Sequence, residues 1–393
     1  MSWNKNIKKT GYSSRNRTKL VRGGREYFSH LKSLIDKASF SLHLQFYIFS
    51  EDETGEMVIG ALKAASQRGV TVFLHLDSYA SQGLSKHTVR DMREAGIKVK
   101  WFEPMFRSKH FYFGRRLHHK VVVADGLYSL VGGINVSDRY NDMPGDPAWL
   151  DMALYCEGEA SFALYNICRM MWGDKKRYPV ISWEDVDRFC EQIPENEQVL
   201  VRVSRNDWVK RKIEIWRRYL EMFSRSEKQI TIMCSYFLPG RISRKRLALA
   251  SRKGVKIRLI LASTSDIMIT KHAERYLYNW LFKNNITIYE YQDTVLHAKM
   301  AVFDSNWVTI GSYNINNISA FASLELNMDI SNSSFALETE AVLDEIISKH
   351  CRQITRENYI SSNHFLKRIW QRLCYWLINN TLNLFTFYFK QEE

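Results

Sequence analysis

Residues 117–126 read LHHKVVVADG, and residues 296–305 read LHAKMAVFDS. What precedes each copy repeats as well. ASFSLHLQFYIFSED (38–52) and KQITIMCSYFLPG (228–240) each read as a strand running into a loop, with Tyr47 the counterpart of Tyr236. ALKAASQRGVTVFLHLDS (61–78) and ALASRKGVKIRLILAS (248–263) each read as a helix, a glycine stop at Gly69 or Gly254, and a Val- or Ile-rich strand. AGIKVKWFEP (95–104) parallels NNITIYEYQ (284–292). The spacing between counterparts shrinks along the chain, from 189 for the tyrosines to 185 for the glycines and 179 for His118 and His297, so the first half carries the longer loop before its motif. A chain that repeats itself over such a span folds as two similar units. Strands alternating with helices make each unit an α/β layer structure. The expected organisation is a basic N-terminal segment (1–18), a first α/β domain (19–172), a linker (173–197), a second α/β domain (198–350) and an amphipathic C-terminal extension (351–393).

Composition narrows the functions such a chain can have. A length of 393 residues suffices for two domains with their own cores, and 45% hydrophobic with 25% charged residues is globular rather than disordered. The formal net charge of +14 calls for an anionic partner, for which nucleic acid, anionic lipid and phosphate-bearing substrates all qualify. Eleven tryptophans suit a membrane interface or a substrate cleft as well as a core. The six cysteines (Cys156, Cys168, Cys190, Cys234, Cys351, Cys374) have no CxxC spacing, which argues against a zinc site and for reduced core residues of an intracellular protein. The N-terminus lacks the apolar stretch of a signal peptide, and no run of about 18 apolar residues predicts a spanning helix.

The doubled motif carries the chemistry. In an extended chain His118 and Lys120, or His297 and Lys299, share one face, while His119 points to the other and reads as structural. Two such cationic pairs suit a phosphodiester. The lysines neutralise non-bridging oxygens, one histidine attacks phosphorus, and the other protonates the leaving alcohol and deprotonates the incoming one. No metal and no cofactor are needed. Downstream, GGINVSDRYND (132–142) matches GSYNINNIS (311–319), with Gly132 and Gly311 expected in a tight turn and Asn135 and Asn314 offering amide donors to phosphate. Acids follow at Asp151 and Glu325, placed to fix a histidine tautomer.

With these residues in register twice, the chain resembles the phospholipase D superfamily, whose mark is a pair of HxKxxxxD motifs each followed by G-[GS]-x-N. Within it the chain is most similar to bacterial cardiolipin synthases, on FYIFSEDETG, RGVTVFLHLDS, GGIN, WLD, SYFLPG and GSYN. The resemblance spans roughly residues 19–345. It implies two α/β/α sandwich domains related by a pseudo-two-fold axis, with the active site at their interface. It implies His118 as nucleophile and His297 as general acid/base, or the reverse, with Lys120, Lys299, Asn135, Asn314 and Ser312 on the phosphate. Asp125 and Asp304 would complete the catalytic motifs by organising the site, and Asp151 and Glu325 would orient His118 and His297. Gly133 stands where the second copy has Ser312, which removes one hydroxyl and makes the two halves unequal.

Other features are weighed more plainly. His43, His75 and His272 read as ordinary core or surface histidines, and Tyr47 and Tyr236 fit a cleft lining or a core equally. RNRTKLVRGG and KRKIEIWRR are basic runs suited to an anionic surface. In FLKRIWQRLCYWLINNTLNLFTFYF (365–389), Leu366, Ile369, Trp370, Leu373 and Leu377 recur at helical spacing opposite Lys367, Arg368, Gln371 and Arg372. Such a helix lies in a bilayer interface or packs on the core. The expectation is a phosphatidyltransferase joining two phosphatidylglycerol molecules into cardiolipin, peripheral on the cytoplasmic side of a bacterial membrane, with anionic phospholipid as partner and no specific nucleic acid. The alternatives are a hydrolase of phospholipid or nucleic acid, and a non-catalytic headgroup-binding module.

Overall fold

A computed structural model describes residues 11–103, 115–173, 178–210, 212–321 and 323–386. The repeat read from the sequence is a repeat of topology. The first sheet contains β1 (Asn16–Arg22), β2 (Ser41–Phe46), β3 (Thr71–Asp77), β4 (Lys98–Phe102), β5 (Val121–Ala124), β6 (Tyr128–Gly132) and β7 (Met152–Gly158), in the order β1-β7-β6-β5-β2-β3-β4. The second contains β8 (Leu200–Asp207), β9 (Lys212–Ile213), β10 (Gln229–Cys234), β11 (Lys256–Ala262), β12 (Ile286–Tyr291), β13 (Lys299–Phe303), β14 (Trp307–Gly311), β15 (Glu325–Ser331) and β16 (Cys351–Ile354), in the order β16-β12-β11-β10-β13-β14-β15-β8-β9. Without its outer strands β9 and β16, the second order matches the first strand for strand. In both sheets the strands joined by helical crossovers run parallel (β2-β3-β4 and β10-β11-β12), and the motif strand enters antiparallel beside β2 or β10.

Helices flank each sheet. The first half has α1 (Arg25–Lys37), α2 (Glu53–Gln67), α3 (Lys86–Glu94), α4 (Glu159–Trp172) and α5 (Trp183–Cys190). The second has α6 (Glu214–Arg225), α7 (Arg241–Arg252), α8 (Met268–Tyr276), α9 (Tyr278–Lys283), α10 (Asn317–Phe321), α11 (Ser333–His350), α12 (Arg356–Ser361) and α13 (Phe365–Thr386). The chain divides into two compact units. One runs through Ser204 and includes Ile310–Ser312 and Leu326–Ser331; the other comprises Arg205–Thr309, Tyr313–Glu325 and the chain from Asn332 on.

Strand alternation sorts each sheet into two faces. Leu42, Leu44 and Phe46 of β2 pack with Leu31, Leu34 and Leu62 of α1 and α2 in the first core. His43 points to the opposite face, where it clusters with Phe73 and Tyr178, the three ring centroids each 4.5 Å from the other two. In the second unit Ile230, Ile232 and Cys234 of β10 pack with Tyr219, Phe223, Leu247 and Ala250 of α6 and α7. Five of the six cysteines are buried, Cys351 is half-buried, and none is in a disulfide.

Three segments differ from the sequence reading. Asn16–Thr18, expected in the N-terminal segment, begin β1 and pair with Cys156–Gly158. The expected linker contains α5, which buries Val186 and Cys190 and is tied by Asp187 to Arg15 at 2.6 Å. Residues 351–354 are not part of an extension but form β16, antiparallel to β12.

The C-terminal helix departs further. α13 packs on α8 through Cys374, Tyr375 and Ile378 against Ala273 and Leu277. Gln371, on the side read as polar, is buried, and its amide exchanges hydrogen bonds with Asn363 at 3.0 and 3.1 Å. The stripe read as apolar faces away: Leu366, Ile369, Trp370, Leu373 and Leu377 are all exposed, as is Trp376. Residues 387–389 of that stretch lie outside the described residues. No helix among the described residues is long and apolar enough to cross a membrane.

Candidate active site

In both halves the motif lysine bonds back to the carbonyl of its own histidine. In the first, Lys120 Nζ donates to the carbonyl of His118 at 2.9 Å. The His118 ring meets Tyr47 edge-on at 4.9 Å, and Lys120 Nζ lies 5.1 Å over the same tyrosine ring. His118 is half-buried; His119 is buried and turned away, with Nδ1 2.9 Å from Gln45 Oε1. The alternation expected of a strand therefore holds, although β5 itself begins only at Val121. In the second half Lys299 opens β13, its Nζ donates to the carbonyl of His297, and both side chains are buried.

The motif aspartates sit at the other end of their strands, roughly 20 Å from the histidines at about 3.3 Å per residue. Asp125 and Asp304 both adopt left-handed backbone (φ 53° and 52°). Asp125 accepts the backbone N–H of Ser39, Phe40 and Ser41 at 2.8–2.9 Å and the Ser39 hydroxyl at 3.0 Å. Asp304 accepts those of Glu227, Lys228 and Gln229 at 2.8–2.9 Å. Each carboxylate fastens the start of β2 or β10 to the end of the motif strand. These partners are backbone groups and the Ser39 hydroxyl, not the histidines or lysines of the motifs.

Asn135 and Asn314 hold the loops that carry the tyrosines. Asn135 Oδ1 accepts the N–H of Ile48 at 3.0 Å and its Nδ2 donates to Tyr140 at 3.0 Å. Asn314 Oδ1 accepts the Ser235 hydroxyl at 2.8 Å. The backbones of the two loops zip together as well, Ser50 N–H to Val136 O at 2.9 Å and Leu238 N–H to Ile315 O at 3.0 Å. Gly132 and Gly311 are not turn residues. They end β6 and β14, and a Cβ there would come within 2.5 Å of Met152 O and 2.2 Å of Leu326 O. Close backbone approach, rather than a turn, requires glycine.

The halves differ at their acids. Asp151 is fully buried just ahead of β7 and accepts the N–H of Met152 at 2.8 Å. Its carboxylate occupies the space beside Gly133, where a Cβ would stand 2.4 Å from Oδ1. In the second half Ser312 Oγ accepts the N–H of Leu326 at 3.1 Å, and the buried Glu325 accepts the Ser323 hydroxyl at 2.8 Å. Aspartate thus goes with glycine and glutamate with serine, and the difference at Gly133 is a difference in room.

Two supporting groups escape a reading of the motifs. Asp77, at the end of β3, accepts the N–H of Leu117 at 2.9 Å and so fixes the residue before His118. It also accepts those of Tyr79 and Ala80 at 3.0 Å, and burial nevertheless pushes its carboxyl above the usual range. Its counterpart in the repeat is Ala262, so the device belongs to the first half alone. In the second half the buried Lys271 ammonium meets Glu274 at 2.8 Å and Glu290 at 3.0 Å, with Arg275 on Glu290 at 3.1 Å. Glu274 in turn accepts the N–H of Phe237, beside Tyr236, whose hydroxyl donates to Asp266. Burial raises Glu274; at Glu290 burial acts the same way, but Lys271 and Arg275 outweigh it and hold the carboxyl low. The i, i+3, i+7 spacing of Lys271, Glu274 and Tyr278 was the only sequence signal.

Comparison with known proteins agrees with this construction. A family described as "Cardiolipin synthase, PLD-like domain" matches residues 31–149 and again 219–347. Cardiolipin synthase B of Escherichia coli (strain K12) is 30% identical over 354 residues, covering 88% of this chain and 84% of the relative. Cardiolipin synthase 1 of Bacillus anthracis is 29% identical over 333 residues, covering 83% of this chain and 65% of the relative. Among solved structures, phosphatidylserine synthase of Haemophilus influenzae Rd KW20 superposes with a TM-score of 0.72 over 94% of both chains at 12% identity, a likeness of fold. The two α/β units of the present chain, each with an HxKxxxxD motif, match the phosphodiester and phosphotransfer chemistry of the phospholipase D superfamily, and the chain belongs to the family of cardiolipin synthase-type, phospholipase D-like proteins, with that domain present twice.

Proposed function

We propose that this enzyme transfers a phosphatidyl group from one phosphatidylglycerol to another, forming cardiolipin and releasing glycerol. The observation that carries the reading is the presence of two His–Lys pairs of one design, His118–Lys120 and His297–Lys299, in a chain similar over 88% of its length to cardiolipin synthase B. A phosphoryl transfer through a covalent intermediate needs two such groups with different jobs. The His118 imidazole attacks phosphorus, the P–O bond to the leaving glycerol breaks, and His297 gives that oxygen its proton. Neutral His297 then takes the proton from a headgroup hydroxyl of the second lipid, whose oxygen displaces His118 from phosphorus. Lys120 and Lys299 neutralise the non-bridging oxygens, with Asn135, Asn314 and Ser312 as further phosphate donors. Asp151 and Glu325 orient the histidines, and Asp125 and Asp304 position the motif strands. The apolar outer face of α13, with Trp370 and Trp376, supports a peripheral seat on a membrane, for which we propose the cytoplasmic side of the cytoplasmic membrane.

The test is product analysis by mass spectrometry with phosphatidylglycerol vesicles. Cardiolipin and glycerol are expected from the wild type and neither from His118→Ala or His297→Ala. Phosphatidic acid as the sole lipid product would make the enzyme a hydrolase, and product from either histidine variant at the wild-type rate would end the two-histidine scheme.

A further inference from the structure

The repeat supplies an internal control for surface features, because a feature present in one half only is not required by the fold. α2 and α7 are the same helix in the two halves. They bury counterpart positions, Val58, Leu62 and Ala65 in α2 and Ser243, Leu247 and Ala250 in α7. Their outer faces have diverged. Where α2 has Glu56, Gly60 and Gln67, α7 has Arg241, Lys245 and Arg252, and Arg244 takes the place of Ile59, which α2 buries in the first core. α2 contains two acids and one base, while α7 contains five basic residues and no acid.

On α7 these side chains line an open cleft with Trp280 and Lys283 of α9, and among the described residues no carboxylate lines it. Arg244 Nε is buried there without a hydrogen-bond partner. The arrangement costs stability by itself. Arg241, Arg244 and Lys245 repel one another at i, i+3 and i, i+4, and Arg241 sits at the positive end of the helix dipole. An anion in the cleft relieves all three terms. Leu249 in the cleft wall and Ile242 on the same helix are exposed among the cations. Apolar groups among cations fit the interfacial zone of a bilayer better than they fit a small ion in water.

We propose that the α7–α9 cleft is a second lipid site, which binds the phosphate headgroup of an anionic phospholipid in the bilayer without reacting with it. Vesicle binding is read without turnover, so the proposal and the transferase reading fail separately.

The experiment is sedimentation of the full chain with phosphatidylcholine vesicles, with and without phosphatidylglycerol. It compares the wild type with a triple variant, Arg241→Gln, Arg244→Gln and Lys245→Gln. Each cation near an anionic surface contributes about fivefold in affinity, so the triple variant is expected to bind phosphatidylglycerol vesicles on the order of a hundredfold more weakly. Its melting temperature should be unchanged or slightly raised, because the repulsion is gone. An unchanged vesicle affinity overturns the proposal. So does an equal loss in a control variant with Arg22→Gln, Lys63→Gln and Lys86→Gln, which would mean that only net charge matters. Soluble glycerol phosphate is expected to leave binding intact; if it releases the wild type from vesicles, the cleft takes a free phosphate and the lipid assignment fails.

Discussion

Gly133 and Asp151 act as one unit, since the carboxylate fills the space a side chain at 133 would need. Gly133→Ala should displace Asp151 and lower kcat by roughly tenfold to a hundredfold with little change in KM, as a shift of about 1 Å near the reacting groups does. Copying the second half, Gly133→Ser with Asp151→Glu, should recover much of the loss. A double variant no better than Gly133→Ala would remove the argument from room. Asp125 makes a different prediction. Its hydrogen bonds go to Ser39, Phe40 and Ser41, so Asp125→Ala should lower stability by about 2 kcal/mol in urea denaturation. Its kcat, measured where the variant is folded, should stay far above that of His118→Ala. A loss equal to the histidine variant's would give Asp125 a direct part in the reaction.

At the scale of elements, the face of the first sheet that packs against α4 and Tyr178 carries two buried histidines where an apolar residue would pack as well. Neither ring nitrogen of His75 in β3 has a hydrogen-bond partner. Burial, with Lys100 adding repulsion, pushes its pKa down to about 3, and burial with Lys98 does the same to His43 in β2. Both folded-state values lie below the unfolded value of about 6.5. The folded state therefore holds fewer protons. The stability these residues allow is whole above pH about 6.5 and drains away as pH falls toward 3. His75→Leu should be neutral or stabilising at pH 7, because no hydrogen bond is lost, and should flatten the decline between pH 6.5 and 4. Urea midpoints at several pH values check this; an unchanged acid limb would mean that His75 is not held neutral.

For the whole molecule, the orientation of α13 decides how much apolar surface is left uncovered. Trp370 and Leu373 are each 52% exposed, so replacing both with Asp should leave the melting temperature nearly unchanged. It should sharply weaken sedimentation with phosphatidylglycerol vesicles, because buried apolar area drives interfacial binding. A variant that melts several degrees lower would show that this face is covered in the native protein. Gln371→Leu gives the complementary expectation. It leaves Asn363 without its partner and should cost stability without affecting vesicle binding.

Local pattern was enough for much of this protein. The two motif copies, the paired tyrosines, the glycine stops and the strand–helix alternation are short-range periodicities, and they foretold two α/β units and the separation of His118 from His119. Other features depend on what lies opposite a residue in space. Asp125 looks like a member of its motif, yet its partners lie more than eighty positions earlier, because β5 runs beside β2. The glycine at 132 answers to the backbone of β7, and Gln371 is buried because α13 meets α8 with that edge. Helical spacing says which residues share a face, but whether that face meets protein or solvent is set by the other surface. The long-range pairings of the sheets and the docking of the last helix made that choice here.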